Sequence, residues 1–62
     1  MRTITIEHKG NPTTLVIDKI VAWHTEYERY LYIATDPEVY VLEFLDKEEL
    51  DVAVNDLIKV FE

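Results

Sequence analysis

The sequence predicts an α+β domain: an antiparallel meander of about four strands with one C-terminal helix packed on one face. Three observations carry this expectation. Up to residue 45 the chain is rich in β-branched and aromatic residues, in short runs separated by turn formers. From residue 46 the apolar residues recur at helical rather than alternating spacing. A length of 62 residues leaves room for one core, so residues 1–62 form a single domain.

Taken in order, residues 3–6 (TITI) alternate polar and apolar, as a half-buried strand does. Residues 9–12 (KGNP) read as a turn, with Gly10 and Asn11 suited to positive φ and Pro12 ending the pairing. Residues 13–25 are strand-like, but Asp18 and Lys19 separate two apolar runs, which implies a bulge, a bend or two short strands. Residues 29–35 (RYLYIAT) form the next strand. Residues 36–38 (DPE) are a turn with Pro37 in its second position, and residues 39–45 (VYVLEFL) form the last strand.

The helix is expected over residues 46–61. Leu50, Ala53, Val54, Leu57, Ile58 and Phe61 make its apolar stripe. Asp46 suits the N-cap and Glu49, three residues on, completes a capping box; Leu45 and Leu50 are spaced for a hydrophobic staple. Glu48 and Glu49 also complement the positive end of the helix dipole. The order of elements, with Ile17 and Ile20 as an I-x-x-I pair, resembles the layout of the small flagellar FlbD family. The likeness covers most of the chain without a specific motif, the Asn-Gly turn expected between the last two strands is absent, and no function or residue is carried over from it.

One helix covers one face of a sheet. Leu31, Ile33, Leu42 and Phe44 are placed beneath it. Tyr30, Tyr32, Val39 and Val41 then fall on the far face, with Thr3 and Thr5 of the first strand. A solvated sheet face is ordinarily polar. An apolar and aromatic one is therefore a candidate interface, and a domain this small, with no cysteine to staple it, gains by burying more. Trp23 and Tyr27 join this set as large aromatics near the end of the long apolar strand, where Trp23 serves equally as an interface anchor or as the plug of a small core.

Composition narrows the chemistry. The absence of cysteine removes disulfides and thiolate metal sites and suits a reducing compartment. There is no serine, no glycine-rich loop and no carboxylate pairing that singles out an acid and a base, so no enzyme and no cofactor are expected. His24, Glu26 and Glu28 have the spacing of a carboxylate–imidazole metal set if the segment is extended, but a turn is needed there and would scatter them. Tyr30 and Tyr32 could stack bases, yet a net charge of −7 opposes direct nucleic-acid binding and binding to anionic membranes. No apolar run is long enough to span a bilayer, and residues 1–10 carry no signal-like h-region, so the chain is expected to be cytoplasmic.

The acids gather between residues 36 and 56: Asp36, Glu38, Glu43, Asp46, Glu48, Glu49, Asp51 and Asp56, opposed only by Lys47. Such a charge field keeps a small domain soluble and also attracts a basic surface. The expectation is thus a small acidic module that forms a homodimer and binds or inhibits a protein with a basic surface through Asp36, Glu38, Glu48, Glu49, Asp51 and Asp56, as phage or mobile-element accessory proteins do. The alternative is a nucleic-acid mimic whose carboxylates block the basic cleft of a nuclease or restriction enzyme.

Overall fold

The computed structural model describes residues 2–62. Strands β1 (Thr3–His8) and β2 (Asn11–Val16) form an antiparallel hairpin. Its turn is Lys9-Gly10 alone, with φ of 52° and 79°. Two consecutive left-handed residues match the right-handed twist of the flanking strands, and Gly10 adopts that conformation without a Cβ penalty. The turn is thus shorter than the KGNP segment. Asn11 is already in β2, and Pro12 pairs with Glu7 instead of ending the ladder. The closing pair of a two-residue hairpin, here His8 and Asn11, exchanges both hydrogen bonds. The next pair therefore makes none, and Pro12 forfeits nothing by lacking an N–H.

A single 3₁₀ turn, Ile17–Lys19, breaks the long apolar run. It is pinned where the Ile17 N–H donates to the Arg2 carbonyl at 2.9 Å. Strands β3 (Ile20–Glu26), β4 (Tyr30–Thr35) and β5 (Val39–Glu43) follow as an antiparallel meander in the order β3-β4-β5. The described residues therefore hold five strands, in a two-stranded and a three-stranded sheet, instead of the expected four, with the Asp18-Lys19 interruption falling in the turn between the two sheets. The β4–β5 connection holds Pro37 in the third position of the turn, with the Thr35 N–H and hydroxyl both donating to the Glu38 carbonyl at 2.7 Å.

Val21 is a β-bulge. Ile20 pairs with Thr35 and Ala22 with Ala34, so two steps on β3 oppose one on β4. The extra residue turns Ile20 into the core and Ala22 to the opposite face, and leaves Val21 71% exposed.

Helix α1 (Lys47–Phe61) begins where the sequence places it. The Asp46 carboxylate accepts from the Glu49 N–H at 2.9 Å. The return arm of the capping box lands one residue early: the Glu49 carboxylate accepts from Leu45 N–H (3.3 Å) and from Lys9 N–H (2.9 Å). Leu50 is buried, but Leu45 stays 55% exposed, so the outer half of the expected staple is open to water. Ile4, Ile6, Leu15, Ile17 and Ile20 meet Leu31, Ile33, Leu42 and Phe44, with Leu50, Ala53 and Leu57 of the helix closing one core. Among the described residues no helix is long and apolar enough to cross a membrane.

Candidate interaction surface

Cross-strand pairs in an antiparallel sheet share a face, so the register of β3, β4 and β5 fixes what the far side presents. The rows are Ala22–Ala34–Val39, then His24–Tyr32–Val41, then Glu26–Tyr30–Glu43. The opposite face holds Thr25–Leu31–Leu42 and Trp23–Ile33–Tyr40, with Leu31, Ile33 and Leu42 in the core. The structure thus brings Tyr30, Tyr32, Val39 and Val41 together on one uncovered face. Val39 and Val41 are exposed, and the two tyrosines are half-buried by their neighbours. Thr3 and Thr5 do not extend this face, because β1 belongs to the other sheet, where the Thr5 hydroxyl bonds that of Thr14 at 2.9 Å.

Two aromatic contacts shape the surface. His24 and Tyr32 stack nearly flat, with ring centroids 4.7 Å apart and an interplanar angle of 8°. Tyr27 meets the edge of Tyr30 at 6.4 Å and 86° and is 82% exposed. It stands on the β3–β4 turn, where Tyr27 and Glu28 both have positive φ, 56° and 55°. Neither residue adopts that conformation freely, so the turn stores strain. Over the small side chains of Ala22 and Ala34 lies a depression of about 220 Å³, bordered by Trp23, His24, Tyr32 and Val39.

Trp23 points the other way from the tyrosines. It packs against the core and onto Phe61 near the end of α1, with ring centroids 5.2 Å apart. It closes the helix side of the domain and does not join the tyrosine face.

Of the candidate metal set, His24 and Glu26 share the outer face, with Nε2 and Oε2 3.1 Å apart. Glu28 sits in the left-handed turn, out of the extended run that would have aligned it with them. No cluster of three metal-ligating side chains occurs among the described residues.

The acidic residues divide by what they touch. Glu49 is committed to backbone N–H groups at the start of the helix, Asp51 pairs with Lys47 at 3.6 Å, and Glu43 pairs with Lys9 at 3.2 Å. Glu48 and Asp56 lie exposed on α1, while Asp36 and Glu38 lie on the β4–β5 turn. The Glu38 carboxylate raises the pKa of Tyr40, through its charge first, then a hydrogen bond, then partial burial.

Ala22, Ala34 and His24 complete the far face and were not read from the sequence as part of it. Alternation along residues 30–34 was signal enough for Ala34. Ala22 was hidden by the bulge at Val21, which puts neighbours of the same apolar run on opposite faces. No family model, curated protein or solved structure matches this chain.

Proposed function

We propose that this protein acts by binding another protein through the uncovered face of its three-stranded sheet, as a small acidic accessory or inhibitory module. The observation that carries the reading is the contiguous apolar and aromatic surface formed by Ala22, Ala34, Val39, Tyr32 and Val41. Water-facing sheet sides are ordinarily polar, and a contiguous exposed apolar patch marks an interaction site. The strained turn that holds Tyr27 beside Tyr30 adds an aromatic anchor at one end. The net charge of −7 favours a partner with a basic surface, and the cysteine-free composition suits the reducing cytosol.

A nucleic-acid mimic is the second reading, favoured by exposed Glu48 and Asp56 on α1. It is weakened by Glu49 and Asp51, whose carboxylates are already engaged within the chain. A photo-crosslinking residue at Val41 or at Val52, expressed in the native cells, separates the two. Protein adducts from Val41 and none from Val52 are expected. Adducts from Val52 alone would favour the helix and the mimic; adducts from neither would overturn both.

A further inference from the structure

We infer that the element of the partner seated on the uncovered face is an amphipathic α-helix lying along the strands, with two apolar side chains between two basic ones at positions i, i+4, i+8 and i+12. This rests on the face-binding reading above and names the chemistry of its partner.

The face has an order along the strands. At one end stands the β4–β5 turn with Asp36, whose N–H donates to the Lys19 carbonyl at 3.1 Å and so brings Asp18 and Lys19 to the same end. Next come the Ala22–Ala34–Val39 row and the His24–Tyr32–Val41 row, and after them Glu26 and Glu43 on either side of Tyr30. The order is acid, apolar, apolar, acid. Local bases do not cancel it. Lys19 faces both Asp18 and Asp36 at the first end. At the second, Lys9 is drawn to Glu43 at 3.2 Å, the Arg29 guanidinium donates to the Leu45 carbonyl at 3.4 Å, and Glu26 has only His24 beside it at 3.1 Å.

A basic helix complements that order in spacing as well as in charge. Same-face side chains along a strand recur every ~6.8 Å, and residues i and i+4 along a helix every ~6 Å. A helix aligned with the strands therefore sets one residue of its stripe on each row. The mismatch grows to only about 2 Å over four rows, which the long side chain of a lysine or arginine absorbs. The first apolar side chain enters the depression of about 220 Å³ above Ala22 and Ala34. The second lies on the flat His24–Tyr32 stack beside Val41.

The width of the face selects a helix over a sheet. Two gaps of ~4.8 Å separate β3 from β5, so the face is ~10 Å across, the diameter of one helix. The opposite side of the same strands is closed in this way already, where Leu31, Ile33 and Leu42 share a core with Leu50, Ala53 and Leu57 of α1. The net charge of −7, which opposes a second copy of this chain, draws in a cationic helix. One helix on a face this size covers less than the about 800 Å² per partner of a standard interface, so the contact is weak and reversible, with a dissociation constant on the order of 100 μM.

The test uses a synthetic peptide of about 17 residues, alanine- and glutamine-based so that it is helical alone, with Lys, Leu, Leu and Lys at the four spaced positions. A control peptide has the same composition with the order Leu, Lys, Lys, Leu. Each is titrated into the isotope-labelled full chain and followed by amide NMR. The first peptide is expected to shift Tyr32, Ala34, Val39 and Val41 and to bind at least about five-fold tighter than the control. Raising the salt to about 0.5 M should weaken it several-fold. Val41→Lys and Glu26→Lys should each weaken it about ten-fold, and Val52→Lys, the same change of charge on α1 as the valine substitution makes on the face, should weaken it less than about two-fold. Circular dichroism verifies that the variants are folded. Equal binding of the two peptides, or shifts centred on β1 and α1, would overturn the order of acid and apolar rows as the recognised feature. No binding of either peptide up to about 1 mM would overturn the helix as occupant, while the crosslinking at Val41 still reads face binding separately. Shifts of the same four amides on concentrating the chain alone would give the face to a second copy instead.

Discussion

The carboxylate of Glu49 accepts a hydrogen bond from the backbone N–H of Lys9 at 2.9 Å, across 40 positions of sequence. The same oxygen accepts from Leu45 at 3.3 Å. One side chain thus joins the tip of the first hairpin to the start of α1 while also holding the residue before the N-cap. Glu49→Ala should lower stability by about 1–2 kcal/mol, the scale of a partly exposed charge-assisted pair of bonds. Glu48→Ala, one residue away and exposed, should change it by less than about 0.5 kcal/mol. Urea denaturation of the two variants checks the contrast, and equal effects would refute the tie.

Leu57 is completely buried at the centre of the helix stripe, among the residues that close the core. Leu57→Ala should cost about 2–5 kcal/mol. A small domain has a total stability near the lower end of about 5–15 kcal/mol, so the variant should be largely unfolded at room temperature. Far-ultraviolet circular dichroism is the measurement. A variant with an unchanged midpoint would mean that the helix contributes little to the fold.

Tyr27 and Glu28 both occupy left-handed conformations that side chains with a Cβ resist. Glu28→Gly should therefore raise stability by up to about 1 kcal/mol, the relief of strain exceeding the extra entropy glycine gives the unfolded chain. Thermal unfolding reads the change. If the turn is kept strained in order to present Tyr27, crosslinking at Val41 should fall in the stabilised variant even as its melting temperature rises.

Glu38 raises the Tyr40 hydroxyl above its ordinary value of 10.0. The folded state therefore favours the neutral phenol. The contribution to stability is fully present below the ordinary value and is lost as pH rises through the elevated one. Glu38→Gln should remove the largest cause and move the Tyr40 titration back down. A titration of the Tyr40 ring by NMR, in the unaltered chain and in the variant, tests this; identical curves would show that another group sets it.

The legible parts of the fold were those whose signal is local. The N-cap at Asp46, the start of α1 and the buried Leu50, Ala53 and Leu57 of its stripe were readable because capping and helical spacing are written within one turn or two of chain, whereas Ile58 and Phe61, expected in the same stripe, stay 43% and 45% exposed near the end of the helix. The buried Leu31, Ile33, Leu42 and Phe44 were readable because alternation survives in β4 and β5. What depended on pairing across the chain was not. The hairpin turn shrank to Lys9-Gly10 because Pro12 found a position in the ladder that needs no N–H. The strands divide into two sheets at the Ile17–Lys19 turn, where the β1–β2 ladder ends and β3 takes up pairing with β4 instead. For the candidate surface, Tyr30, Tyr32, Val39 and Val41 were legible, whereas the side taken by Trp23 follows from its pairing with Ile33 after the bulge at Val21, which only the cross-strand register reveals.

The bulge at Val21 has a consequence for how copies of this chain can meet. A straight, unbroken border strand offers a row of free N–H and C=O groups to any other strand, and a chain that extends its sheet in that way has no natural stopping point. On β3 the ladder is dislocated between Ile20 and Ala22, and the valine at the dislocation projects into water. A straight strand laid along that border would fall out of step after Ala22, so β3 is a poor template for open-ended growth into fibres.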